Sequence, residues 1–104
     1  MTKIEVWLVE ETTKRICVKG HSGYDVSGKD IVCSAISTAV MLAVNIIDEV
    51  CSDYIFNTDG NNAEIILEIK DLNNTANIVM KNLYLTLEEI SRQYPKFVKV
   101  RVNK

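Results

Sequence analysis

The sequence predicts an α+β fold with the element order ββαββαβ. Apolar and polar residues alternate in five segments, which is the period of a strand with one buried face. Two longer segments instead carry apolar residues at every third or fourth position, the spacing of an amphipathic helix. We therefore expect a single domain over residues 1–104, with a mostly antiparallel five-stranded sheet and two amphipathic helices.

The first hairpin is predicted from two alternating segments near the start of the chain. Residues 4–9 and 15–19 alternate, and the polar residues 10–14 between them are typical of a turn. Residues 20–29 are too rich in Gly, Ser and Asp to continue the second strand, so we expect a loop there.

The first helix is predicted to begin directly after Asp30, which is a good N-cap residue. Its apolar residues follow the helical spacing over about five turns: Val32, Ala35, Ile36, Ala39, Val40, Ala43, Ile47 and Val50. They cover more of the helix than one sheet face needs, so we expect this helix also to contact the second helix or another subunit. Polar residues interrupt the run, which favours a buried helix over a membrane span.

The second half of the chain repeats the pattern. Residues 54–56 and 64–70 flank a turn at 58–62 and predict a second hairpin. A second amphipathic helix is expected from residue 74 or 75 up to Pro95, and residues 97–102 alternate again as a last strand.

Composition excludes several classes of function. The formal net charge is −2 and the basic residues are scattered, which argues against nucleic-acid binding. The three cysteines, Cys17, Cys33 and Cys51, are an odd number without CxxC spacing, so we expect no disulfide framework and a reducing cytoplasm. With a single histidine, a metal site within one chain is hard to assemble, and we expect neither a metal nor a cofactor.

The stretch GHSGYDVSGKDIVCSAIS, residues 20–37, carries the residue types of a thiol enzyme. Cys33 is the third residue after the predicted N-cap, where free N–H groups and the helix dipole favour a thiolate and could stabilise an oxyanion. His21 is the candidate base across the loop. Asp30 would compete if it capped the Cys33 N–H, so we expect it to cap Val32 or to face His21.

The loop between His21 and Cys33 has a composition that is typical of a mobile loop over a binding site. Gly20, Gly23 and Gly28 would give it freedom to open for an extended substrate. Tyr24 and Val26 are apolar residues in an otherwise polar loop, and their position suggests that they cover something or contact substrate.

Residue types and spacing alone leave a structural interpretation open. A lone loop histidine is often a surface residue, and a cysteine in an apolar helix is often a small core residue. Cys17 and Cys51 have no base nearby in sequence and are interpreted as structural. Ser37, one turn after Cys33, would bond to the preceding turn or support the nucleophile.

The same stretch, preceded by a strand hairpin and followed by a long apolar helix, resembles the ribosomal-processing cysteine protease family, Prp. The glycine–histidine pair, the glycine-containing loop and the Asp-Ile-Val-Cys helix start carry the resemblance, and the hairpin NTDGNNAEIILEI fits as well. The resemblance implies a homodimeric cysteine endopeptidase that removes the N-terminal extension of large-subunit ribosomal protein twenty-seven.

The resemblance also implies roles for individual residues. It maps the nucleophile onto Cys33, the base onto His21, an acidic residue onto Asp30 and a helix serine onto Ser37, while Gly20 and Gly28 match motif glycines. Ser22 is expected to vary among small residues. Two alternatives remain: a non-catalytic ribosome-associated module that binds a protein tail, and a cysteine hydrolase of another peptide.

Overall fold

The computed structural model describes residues 1–26, 30–71 and 73–104. Its elements follow the predicted order ββαββαβ, which confirms the α+β fold. Their bounds are β1 Thr2–Val9, β2 Thr12–Lys19, α1 Ile31–Val50, β3 Tyr54–Asp59, β4 Glu64–Ile69, α2 Asn74–Gln93 and β5 Val98–Asn103.

The five strands form one sheet in the order β3-β4-β2-β1-β5. The pairs β1–β2, β2–β4 and β3–β4 are antiparallel, whereas β5 lies parallel to β1 at the edge of the sheet. The sheet is thus mixed and mostly antiparallel, as predicted. The parallel pair is possible because the chain crosses from β4 to β5 through α2.

The first hairpin turn is tighter than the sequence suggested. Glu10 and Glu11 alone form it, with φ angles of 52° and 66°, and β2 already begins at Thr12. Positive φ at both central residues gives a two-residue turn the twist that antiparallel strands need. The expectation of a turn over residues 10–14 was wrong because glutamate is not a residue type that indicates a turn with positive φ.

Both helices contribute to one hydrophobic core against the sheet. In β1 and β2 the core side chains are Ile4, Val6, Ile16 and Val18, so alternate residues of each strand share the buried face. The intervening residues form the opposite face, where Arg15 pairs with Glu68 and Lys19 with Glu64. The molecule is therefore a two-layer structure with the helices on one side of the sheet.

Helix α1 is buried along one side and apolar beyond it. Six of its residues lie in the core: Val32, Ile36, Val40, Ala43, Val44 and Ile47. Its length and composition alone would suffice to cross a membrane, but this buried stripe belongs to the core of the fold, in line with the predicted buried helix. On its other side, α1 and α2 border an apolar groove of about 640 Å³, in which Ile31, Leu42 and Ile78 are exposed. We call this the helix groove.

Candidate active site

Cys33 lies in the first turn of α1, as the third residue after Asp30. The N-cap prediction is confirmed, since the Asp30 side chain accepts hydrogen bonds from the N–H groups of Val32 and Cys33, each over 3.0 Å. The capping fixes where the helix begins and thereby directs the Cys33 side chain toward the segment that follows β2.

His21 lies just beyond the end of β2 and its side chain is exposed. It lines two cavities together with Cys33 and Ser37. The first, which we call the strand-side cavity, has a volume of about 300 Å³ and extends to the β3–β4 turn, where Asp59 and Glu64 line it. The second, the loop-side cavity, has a volume of about 560 Å³ and reaches residues of the loop and of α1.

The structure therefore brings His21, Cys33 and Ser37 to a shared wall between two cavities. Among the described residues, the His21 imidazole makes no hydrogen bond to the Cys33 sulfur. Contacts between a catalytic base and its nucleophile are often loose in an enzyme without substrate, and an exposed imidazole is free to rotate. Cys33 and His21 thus line both cavities.

Ser22 is the residue of this site that sequence reasoning missed. Its N–H donates to the Cys33 sulfur over 3.3 Å, and its hydroxyl lies 3.5 Å from the same sulfur. The hydroxyl also donates to Asp30, and the residue is only 2 % exposed. A serine beside a histidine has no periodicity that reveals burial, and its partners lie eight and eleven positions away. No pattern in the sequence points to it.

Asp30 is a buried carboxylate whose two oxygens are both engaged. Burial raises the pKa of Asp30, but the hydrogen bonds from the Ser22 hydroxyl and the Cys33 N–H outweigh burial and lower the pKa to about 2. The expectation that Asp30 would cap Val32 is confirmed, whereas the expectation that it would leave the Cys33 N–H free is wrong. One oxygen reaches both N–H groups, as an N-cap carboxylate can. Among the described contacts, Asp30 makes none with the His21 side chain.

The helix start is consequently not an open oxyanion site. The N–H groups of Val32 and Cys33 bind the Asp30 carboxylate, and that of Ser34 donates to the Asp30 carbonyl over 3.1 Å. The sequence-based expectation that this turn would stabilise an oxyanion is therefore not met in this structure. The donor that faces the Cys33 sulfur is the N–H of Ser22.

The predicted hinge glycines play different parts. Gly20 has a φ of 89°, its N–H binds the Ala63 carbonyl, and its carbonyl accepts from the Thr2 hydroxyl. An added Cβ at Gly20 would lie 2.8 Å from the Met1 carbonyl oxygen, so Gly20 is an anchored position. Gly23, with a φ of 76°, is exposed and has open space around it. The predicted role of Gly28 lies outside the described residues.

The two apolar loop residues also differ. Tyr24 covers the segment between α2 and β5, since its ring meets Tyr94 and Phe97 edge-on at centroid distances of 5.6 and 5.3 Å. Val26 is 65 % exposed. Neither residue lines the two cavities beside Cys33, and their contact with substrate stays a prediction.

The profile of the family described as cysteine protease Prp matches residues 1–99. The chain belongs to the cysteine protease Prp family. A search of the curated proteins finds no significant match.

Solved structures share the fold over the whole chain. The structure of the ribosomal processing protease Prp from Staphylococcus aureus with a covalently linked product peptide has a TM-score of 0.91 at 22 % identity, covering 99 % of this chain and 100 % of that one. The same protease with a substrate peptide gives a TM-score of 0.86 at 20 % identity, with the same coverage. A Streptococcus mutans protein gives 0.81 at 17 % identity, covering 99 % of this chain and 94 % of that one.

Membership in the Prp family makes the chain a cysteine protease, and its three cysteines differ in placement. Cys17 lies on the face of the sheet opposite the helices, and burial together with the nearby Glu64 raises the pKa of its thiol. Cys51 is the C-cap of α1, is 4 % exposed, and contacts the Asp53 carbonyl. Cys33 is half-buried and lines both cavities with His21.

Proposed function

We propose that this protease removes the N-terminal extension of large-subunit ribosomal protein twenty-seven, with Cys33 as nucleophile and His21 as base. The residue assignment rests on one observation: the side chains of Cys33 and His21 together line both the strand-side and the loop-side cavity. The substrate assignment is supported by the similar Staphylococcus aureus protein, which is a ribosomal processing protease and has been seen with a substrate peptide.

The proposed reaction follows thiol-protease chemistry. His21 takes the Cys33 proton, and the thiolate attacks the scissile carbonyl carbon. The carbon–nitrogen bond then breaks, the leaving amine takes the proton from His21, and a thioester remains on Cys33. Water, deprotonated by His21, attacks the thioester carbonyl carbon, the carbon–sulfur bond breaks, and the product leaves as a carboxylate with its acid proton going to solvent. His21 then returns its proton to the Cys33 thiolate. In this scheme Asp30 holds the helix start in place, and Ser37 lies beside the nucleophile as a supporting residue.

The test is mass spectrometry of the purified precursor after incubation with the protein. Wild type should release the N-terminal extension. Cys33→Ala should lose at least about a thousandfold in rate, because no other group supplies the nucleophile. His21→Ala should lose about a hundredfold to ten-thousandfold, the usual contribution of a positioned base.

Cys17→Ala is the matched control and should cleave at the wild-type rate, since Cys17 lies on the other face of the sheet. Undiminished cleavage by Cys33→Ala would refute the residue assignment. Wild type that reacts with iodoacetamide at Cys33 but leaves the precursor intact would instead indicate a cysteine hydrolase of another peptide.

We further propose that the protease acts as a homodimer in the cytoplasm. The exposed apolar side chains of the helix groove give a second copy an apolar surface to cover, and free cysteines fit a reducing compartment. Sedimentation should give twice the monomer mass of 11.7 kDa. Leu42→Asp, in the groove, should shift the protein to monomer. Val9→Asp, at another exposed apolar residue outside the groove, should stay dimeric, and a monomeric wild type would contradict the proposal.

A further inference from the structure

The Ser22 hydroxyl lies at the centre of a buried polar cluster beside the proposed nucleophile. It donates to one oxygen of Asp30, it accepts the N–H of Tyr24 over 3.2 Å, and it lies 3.5 Å from the Cys33 sulfur. Ser22 and Asp30 are 2 % and 7 % exposed, so water does not substitute for these partners. The cluster is therefore a buried polar network, and the Cys33 side chain also contributes a hydrogen bond that lowers the pKa of Asp30.

The chemistry of the partners sets the direction of each hydrogen bond. Asp30, with a pKa of about 2, is a carboxylate at neutral pH and can only accept, so the hydroxyl proton of Ser22 points to it. The Tyr24 N–H can only donate and occupies one lone pair of the hydroxyl oxygen. The remaining lone pair faces the Cys33 sulfur, and only a protonated thiol can satisfy it.

We infer that Ser22 is a positioning residue that holds the resting Cys33 as a neutral thiol and aims it along the wall between the two cavities. This inference rests on the proposed role of Cys33 as nucleophile. The hydroxyl accepts the S–H, while the N–H of the same residue donates to the sulfur over 3.3 Å and stays a donor to it once the proton has left. One residue thus contacts the sulfur in both protonation states, through different atoms.

Titratable side chains also line the two cavities beside the sulfur. Among the described residues that line the two cavities with Cys33, four are acidic and one is His21. The acidic residues are Asp25 from the loop, Asp30 at the helix start, Asp59 from β3 and Glu64 from β4. Carboxylates near a thiolate oppose its formation, and an imidazolium supports it. His21 is the only basic side chain among these described lining residues.

The test is the pH dependence of iodoacetamide alkylation at Cys33, followed by peptide mass mapping of the full-length protein. Ser22→Ala removes the acceptor of the S–H but keeps the N–H donor. We expect the pH midpoint of Cys33 alkylation to fall by about half a unit to one unit, which makes the reaction at neutral pH about three to ten times faster. Ser22→Thr retains the hydroxyl and should restore the wild-type midpoint. Ser52→Ala, at an exposed serine outside the site, should leave the midpoint unchanged.

Asp30→Asn provides a second variant if Ser22→Ala fails to fold. Alkylation of Cys51, which is buried in the folded protein, would reveal such a failure. The amide of Asp30→Asn can donate to the Ser22 oxygen, which frees the hydroxyl proton to point at the sulfur, so its midpoint should also fall. A folded Ser22→Ala, or in its place Asp30→Asn, with an unchanged or higher midpoint would overturn the inference. Alkylation measures the reactivity of the Cys33 sulfur itself. Its result is therefore independent of the precursor test, in which Cys33→Ala shows whether cleavage needs Cys33.

Discussion

Helices α1 and α2 are both 20 residues long. In each, the side chain of the N-cap residue accepts a hydrogen bond from the N–H of the third helical residue. In α1 the cap is Asp30 and the third residue is Cys33, joined over 3.0 Å. In α2 the cap is Asn73 and the third residue is Ala76, joined over 2.9 Å. The two helix starts thus share the bond from the cap to the third residue, and this bond does not by itself make a reactive site.

The difference lies in what the second polar atom of each cap binds. The amide nitrogen of Asn73 donates to the Val50 carbonyl over 2.6 Å and so ties the start of α2 to the end of α1. The second oxygen of Asp30 binds the Ser22 hydroxyl instead and ties the start of α1 to the segment that carries His21. The Asn73 cap thus connects the two helices, and the Asp30 cap connects the segments that carry His21 and Cys33.

Replacing each cap with alanine tests this contrast, and the larger effect is expected at Asp30. Asn73→Ala should lower the free energy of unfolding by about 1 kcal/mol, the usual cost of losing an N-cap side chain. Asp30→Ala should cost about 2 to 3 kcal/mol, because it also leaves the buried Ser22 hydroxyl and two N–H groups without a partner. Urea unfolding of the two variants measures the difference.

Precursor cleavage separates the two caps further. At a temperature where both variants are folded, Asp30→Ala should lose cleavage because the His21 segment is no longer tied to α1, while Asn73→Ala should keep it. Equal losses of stability and activity in the two variants would mean that Asp30 is an ordinary helix cap.

A second pair of variants tests how firmly the His21 segment is held. Gly20→Ala should lower the free energy of unfolding by about 2 kcal/mol or more, since both its positive φ and the Met1 carbonyl at 2.8 Å oppose a Cβ. Gly23→Ala has open space and should cost only about 1 kcal/mol for its positive φ. Thermal unfolding compares them, and a Gly20 variant no less stable than the Gly23 variant would remove the argument for an anchored segment.

Acid should weaken the Asp30 cap and leave the Asn73 cap unaffected. The pKa of Asp30 is lowered from 3.8 to about 2, so the ionised carboxylate stabilises the folded state above the ordinary value, and this contribution is lost as pH falls from about 4 toward 2. The difference in melting temperature between wild type and Asp30→Asn should therefore shrink over that range. A constant difference down to about pH 2 would show that the charge of Asp30 does not stabilise the fold.

Local patterns were sufficient to predict the elements of this fold. Alternation located the strands, the three-and-four spacing located both helices, and Asp30 marked the start of α1 to the residue. The order of the strands and the parallel pairing of β5 with β1 come from packing between distant segments, which periodicity does not encode. The Glu10–Glu11 turn was hidden because its residues are not typical of positive φ.

The site was predictable only in part, for the same reason. His21 and Cys33 stand out by residue type, and the helix start gave Cys33 a place near a positive dipole end. The engagement of the helix N–H groups by Asp30 depends on the fold of the Ser22 segment, as does the contact of Ser22 with the sulfur. Likewise, Gly20 is anchored by Thr2 and Ala63 and lies against Met1, which no spacing within residues 20–37 reveals.

The most direct test of the central claim is to follow precursor cleavage while the cysteines are alkylated in stages. Iodoacetamide is stopped at increasing times, and each sample is divided between peptide mapping of Cys17, Cys33 and Cys51 and the cleavage assay. We predict that residual cleavage equals the fraction of Cys33 left unmodified, whatever the state of the other two cysteines. Cleavage that persists after Cys33 is fully alkylated would contradict the assignment of Cys33 as the nucleophile.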